Sequence, residues 1–400
     1  MNTHKSSHLS SPNQTDETQL SVHLGRSERS CLRKPAELKY AHELRALKRV
    51  DRGARPTQWE LSPQAVLTYI LGGTLECGVE ITPKFIGPRE IVEMAIATLI
   101  TGRALLLVGV PGTGKSWLAE QLAAAISGDS TLIVQGTAGC GEESIRYGWN
   151  YAELLSRGPR YEALVASPIM RAMQRGQIAR VEELTRLPQA VQDALITILS
   201  EKMLPIPELE EACFARRGFG LIATANHQDQ GVTTLSGALR RRFNVVTLPT
   251  PTRLEDELEI VKLNTQMSSS DLCTDTFTGA PAVEVSGETS GVTHAVVSIF
   301  RDLRGDGDRG SLKEVKHSGR NLSPADAIAV VDQVQALSGY FRRNADVERA
   351  LAEALYDAVV KESKSDATSW EIYVKRHLAQ RVAWPKLMKA CWAVIEERST

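Results

Sequence analysis

Apolar residues recur along this chain in three regimes. From residue 1 to about 35 there is no period: the segment is polar and Ser-rich and reads as a disordered tail. Ala36, Leu38, Ala41, Leu44, Leu47 and Val50 then return at helical spacing, with Lys39, Arg45, Lys48, Arg49 and Arg52 around them. That pattern predicts a basic amphipathic helix inside a helical arm over 36–60. Residues 63–71 and 88–101 carry helical periods too. The unbroken apolar run Ala104 to Val108 reads as a buried parallel strand. A Gly-rich turn follows, then an Ala- and Leu-rich helix from Lys115 to about Ile126 that ends at Gly128.

Further strands are predicted at 131–135, 178–181, 219–224 and 245–248, with helical patterns between them. The fold class is therefore α/β, an αβα sandwich with a mainly parallel sheet over 61–250. After Pro249 and Pro251 the strands stop, and helices are predicted at 252–265, 292–304, 323–342, 345–362 and 369–397. This second regime is an all-helical lid over 251–400, with a Ser/Thr/Gly-rich stretch at about 267–291 read as a flexible insertion.

Composition narrows the picture. At 400 residues, two or three domains are expected, and 42% hydrophobic with 24% charged residues is the balance of a globular protein. No segment approaches the roughly 20 consecutive apolar residues of a membrane span. Lys plus Arg is 47 against 48 Asp plus Glu, which argues against a chain dominated by nucleic-acid binding. The balance is uneven, however: residues 1–56 hold 11 basic and 6 acidic side chains. Six scattered cysteines without a CxxC pair, and no secretory signal, point to free thiols and a cytoplasmic location.

Chemistry enters at Gly109-Val110-Pro111-Gly112-Thr113-Gly114-Lys115-Ser116, which fills every fixed position of GxxxxGK[ST] between a predicted strand and a predicted helix. Glycines let consecutive backbone N–H groups turn inward around phosphates, and the helix N-terminus adds partial positive charge. Lys115 is assigned to the β- and γ-phosphates, the Ser116 hydroxyl to Mg²⁺, and Trp117 is the last residue assigned to the nucleotide site. An NTPase also needs a carboxylate on a neighbouring strand for the metal's water shell and another for the attacking water. Glu182 and Glu183, ending the 178–181 strand, are assigned to these two tasks in that order. Asn226 ends another apolar strand, where its amide reaches the attacking water or the γ-phosphate.

In this order, the phosphate loop, the Glu-Glu strand end, the Asn226 strand and Arg240-Arg241-Arg242-Phe243 resemble an AAA+ ATPase, and the detail resembles its MoxR branch. Ile86-Gly-Pro-Arg-Glu90 is similar to that branch's entry motif, as is Ser167-Pro-Ile-Met-Arg-Ala172 ahead of the carboxylate strand. Glu182-Glu-Leu-Thr-Arg-Leu-Pro188 stands in place of Asp-Glu-Ile-Asn-Arg-x-Pro. The resemblance covers about 80–265 and, in the lid, Ser318-Gly-Arg-Asn-Leu-Ser-Pro324. It implies ATP and Mg²⁺ as ligands and a ring, taken as a hexamer, that remodels a client protein in a chaperone-like way, often beside a partner with a von Willebrand factor A domain. By position it also implies that Asn226 is sensor 1, Arg320 the sensor 2 arginine, Arg241 and Arg242 the arginine finger acting in the neighbouring subunit, and Met203 to Arg217 the pore hairpin.

Two departures stand out. The metal-shell Asp is Glu182, one methylene longer, and Arg180 interrupts a strand that is ordinarily apolar throughout. Both motivate a rival reading as a nucleotide-gated assembly module with slow turnover. The basic helix motivates another, a motor stimulated by nucleic acid. A small-molecule kinase would leave the finger and the lid arginine unexplained.

Overall fold

The computed structural model describes residues 33–226, 235–272, 288–305, 322–341, 346–360 and 364–399. Nearly all of the predicted tail, most of the 267–291 insertion, and Arg320 lie outside the described residues. Five strands form the central sheet: β1 (Ala104–Gly109), β2 (Ile133–Gln135), β3 (Ile178–Glu182), β4 (Gly220–Asn226) and β5 (Phe243–Thr247). All are parallel, in the order β5-β1-β4-β3-β2.

The period of two along the strands divides the core. Leu105, Leu107, Ile178, Ile222 and Val246 face helices Pro63–Leu71, Arg89–Ile100 and Lys115–Ser127. Ala104, Leu106, Val108, Ala179, Val181, Leu221, Ala223 and Ala225 face helices Pro168–Arg175 and Gln189–Glu201. A sheet covered on both faces explains why its strands read as continuous apolar runs. A third core, around Val296, Phe300, Val331, Trp370, Tyr373 and Cys391, holds the C-terminal helices together. There Trp370 stacks on Tyr373, with ring centroids 5.7 Å apart.

The structure corrects four expectations. The single helix over 36–52 is two, Ala36–Lys39 and Ala41–Val50, separated at Tyr40, whose ψ of 24° leaves the helical range. Their apolar stripe, with Ala36, Tyr40 and Leu47 buried, joins the core of the first sheet face. The helix expected over 369–397 is also two, Lys364–Arg376 and Pro385–Ser399, because a proline fits the first turn of a helix and not its interior. Two small antiparallel pairs escaped the sequence reading, Gly73–Thr74 with Glu80–Ile81 and Tyr147–Trp149 with Leu164–Ala166. Strands of two or three residues carry too little periodicity to be read. The 323–342 helix runs as Pro324–Ala336 and closes in a π turn at Leu337–Phe341.

Candidate functional site

The parallel register brings the C-terminal ends of β1, β3 and β4 together, with Asn226 directly beside Gly109. Brought to one place are the loop Gly109 to Ser116, the Glu182-Glu183 pair and Asn226. Ser116 opens the helix Lys115–Ser127 on its first turn. Gly112 takes a left-handed φ of +77°, and a Cβ there would stand 2.1 Å from the Ser323 hydroxyl. Only glycine fits that turn, and the close approach sets the loop against the N-cap of the lid helix Pro324–Ala336. The Lys115 ammonium, buried, donates to the loop's own carbonyls, Val110 O at 2.8 Å and Gly109 O at 3.2 Å.

Glu182 is buried at the end of β3 and saturated with donors. Its Oε2 accepts from the Ser116 hydroxyl at 2.5 Å and from the Thr224 hydroxyl at 2.7 Å, while Oε1 accepts from Arg180 at 2.7 Å. Glu183, half-buried, sits in a left-handed conformation with φ of +55°. Its backbone N–H donates to Thr224 Oγ1 at 3.1 Å. Its carboxylate accepts from Asn226 Nδ2 at 3.2 and 3.3 Å and stands 3.5 Å from Arg186. The fold leaves no room for a side chain at Gly136, immediately after β2, since a Cβ there would lie 2.3 Å from the Glu183 carbonyl.

The remaining sequence candidates lie elsewhere. Trp117 packs against Tyr40, and its indole donates to the Lys84 carbonyl at 2.8 Å. Lys84 itself lies 4.3 and 4.6 Å from the ring centres of Tyr40 and Tyr69 and pairs with Glu43 at 2.5 Å. Burial holds its ammonium below the ordinary lysine value of 10.5 despite that pairing. Arg241 and Arg242 precede β5, whose first residue, Phe243, pairs with the first residue of β1. They therefore stand about 17 Å, the length of β1, from the strand ends that carry the loop. Arg241 is exposed, while Arg242 is held by the Ser200 hydroxyl and the Ala238 carbonyl. Met203–Ile206 and Glu211–Phe214 pair as an antiparallel hairpin. Thr224 is the site residue that sequence reasoning missed. Its one signal was its place two residues before Asn226, on the same side of the strand.

The donor set suits Mg²⁺ and a phosphate ligand. Ser116 and Glu182 offer adjacent oxygens, and among the described residues no group of three or more His, Cys, Asp or Glu could hold an ion. Such a site fits an ion that keeps several waters and takes phosphate oxygens. Lys115, resting on carbonyls, can exchange them for an anion at the same loop.

A phosphate loop joined to two acidic residues at the end of a neighbouring strand, and an amide on the strand between, defines a P-loop nucleotide-binding domain. The AAA domain of the dynein-related subfamily matches residues 104–243, the span of the sheet from β1 to the start of β5. The uncharacterized protein YehL of Escherichia coli (strain K12) is 38% identical over 357 residues, covering 88% of this chain and 93% of that protein. The uncharacterized protein YojN of Bacillus subtilis (strain 168) is 28% identical over 167 residues, 40% of this chain and 52% of that protein. A solved structure of NtrX from Brucella abortus in complex with ADP overlaps at a TM-score of 0.42 with 15% identity, across 66% of this chain and 53% of that one. The chain belongs to the AAA+ ATPases.

Proposed function

We propose that this chain is a MoxR-type AAA+ ATPase that binds ATP with Mg²⁺ at the Gly109 to Ser116 loop, hydrolyses it, and works as a ring, taken as hexameric, to remodel a partner protein in the cytoplasm. The observation that carries the reading is the placement of Glu183 and Asn226. A carboxylate oriented by an amide, beside the Ser116–Glu182 pair, is what polarising a water for attack on a γ-phosphate requires. Lys115 would leave the Val110 carbonyl for the phosphates, and Ser116 and Glu182 would hold the metal and its waters. Bound Mg²⁺ supplies neutralisation of charge developing on the phosphate oxygens. Glu183 would take the proton of the water, with Asn226 holding it in line.

The distance between Arg241 and the loop of its own chain supports action on a neighbour, which ties hydrolysis to ring assembly. Arg320 is proposed as the lid arginine. Phe214, at the end of the hairpin and 69% exposed, and Tyr151 and Leu155, 73% and 86% exposed, support a partner-contacting surface. A client with a von Willebrand factor A domain is the partner class we propose. Nucleic acid is not part of this reading. A second reading, a nucleotide-gated module with slow turnover, draws on one observation: Asn226 and Arg186 already engage the Glu183 carboxylate.

The test of assembly-coupled hydrolysis is complementation between two defective chains. Lys115→Ala lacks a working loop and keeps its arginines, while Arg241→Ala keeps its loop. Each alone should be inactive, and a mixture should regain phosphate release. A mixture as inactive as its parts, or Arg241→Ala as active alone as wild type, would overturn the finger assignment.

A further inference from the structure

The two departures of the carboxylate strand, a glutamate in place of aspartate and an arginine within an apolar run, prove to be in contact. Ile178, Arg180 and Glu182 alternate onto the sheet face covered by the helix Lys115–Ser127. Arg180 is buried there, 6% exposed. Its guanidinium donates to Glu182 Oε1 at 2.7 Å, to the Ser130 carbonyl at 2.9 Å and to the Ser116 carbonyl at 3.4 Å. We propose that Arg180 is a positioning residue that compensates for the extra methylene of Glu182, anchoring Oε1 so that Oε2 lies on the Ser116 hydroxyl where the metal's shell forms.

A glutamate has one more rotatable bond than an aspartate, and a carboxylate meant to orient Mg²⁺ must be fixed. Arg180 removes that freedom. A planar guanidinium anchored on two carbonyls, one from the loop after the helix and one from the helix's first turn, gives Oε1 a single position. Oε2 is then left to Ser116 and Thr224. The same contact spans β3, the helix Lys115–Ser127 and Ser130, so the carboxylate is tied to the loop whose ion it serves. This inference rests on the reading of Glu182 as a metal-shell residue.

The experiment titrates MgCl₂ against binding of the N-methylanthraniloyl derivative of ATP, with the same binding measured in EDTA. It compares wild type, Arg180→Leu, Glu182→Asp and the double variant Arg180→Leu/Glu182→Asp. Each single change should raise the Mg²⁺ concentration for half-maximal effect by about tenfold or more, as loss of a ligand's support does. Binding in EDTA should stay near wild type. The double variant restores a short carboxylate on an apolar strand and should return to within about threefold of wild type. Arg180→Leu leaves a buried carboxylate without its cation, so Arg180→Lys accompanies it as the variant most certain to fold. Lysine keeps the charge and loses the fork, and it should still raise the half-maximal Mg²⁺ concentration. A double variant no better than the worse single, or an Arg180→Leu or Arg180→Lys titration matching wild type, overturns the proposal. A wild type whose binding ignores Mg²⁺ overturns the metal-shell reading of Glu182, and this proposal with it.

Discussion

Thr224 does two things with one hydroxyl. It donates to Glu182 Oε2 and accepts from the Glu183 backbone N–H, so the two acidic residues share one reference point. Thr224→Val keeps the shape and removes both bonds. Phosphate release by that variant should fall about 10- to 100-fold, with nucleotide affinity within a few fold of wild type. A wild-type rate would show that the hydroxyl only fills space. At this scale the sequence was informative wherever chemistry sits at a fixed spacing or a strand end, as with Lys115, Ser116, Glu182, Glu183 and Asn226. Thr224 was silent because a β-branched residue inside an apolar strand reads as packing. Arg180 was visible as an anomaly, yet its partner two residues on emerges only once the strand's alternation is set in place.

Between elements, the junction from the helix Ala41–Val50 to the helix Pro63–Leu71 is held by Asp51. Its carboxylate accepts from the Ser62 N–H at 2.8 Å, the Ser62 hydroxyl at 2.6 Å and the Gly53 N–H at 3.0 Å. Ser62 in turn caps the second helix through the Ala65 N–H at 3.3 Å. Burial pushes the Asp51 carboxyl up, but the Ser62 and Gly53 bonds and Arg55 outweigh it and hold it below its ordinary 3.8. A depressed carboxylate contributes stability that is complete above its unfolded value and lost as pH falls through the folded one. Asp51→Asn should therefore cost about 2 kcal/mol at neutral pH. Urea melts at descending pH should show the gap to wild type closing in the acid range; a gap that is constant with pH would remove the charge from the explanation. The misread helices follow from the same level of organisation. Tyr40 interrupts the first while keeping its apolar stripe in phase, so the period alone could not reveal the break.

Over the whole molecule, the lid meets the phosphate loop at Ser323 and Gly112, and Leu322, just ahead of the helix Pro324–Ala336, is anchored from within the lid. Glu257, fully buried, pairs with Arg304 at 2.6 Å and Arg301 at 3.5 Å; Arg304 also donates to the Leu322 carbonyl and Arg301 to the Thr252 carbonyl. Arg304→Met would leave that carboxylate with the weaker of its two cations. Loss of about 3 kcal/mol is expected in thermal or denaturant unfolding. An unchanged melting temperature would place the pair outside the lid's stability. Gly112→Ala acts across the same boundary, with a strained turn and a clash at Ser323, and nucleotide binding should fall by at least about tenfold when measured by fluorescence. The αβα layering and the helical lid were legible in the chain, because buried strands and helices differ in length and period. The approach of the lid to the loop was not, since it joins residues more than two hundred positions apart.

The central claim, that this chain hydrolyses ATP through Glu183 at its own loop, has a direct measurement: steady-state phosphate release from ATP and MgCl₂ by wild type and Glu183→Gln side by side. Wild type should release phosphate above the buffer blank, and Glu183→Gln should be slower by about 100-fold or more while binding nucleotide with comparable affinity. Equal rates in the two proteins, or a wild type no faster than the blank, would contradict it.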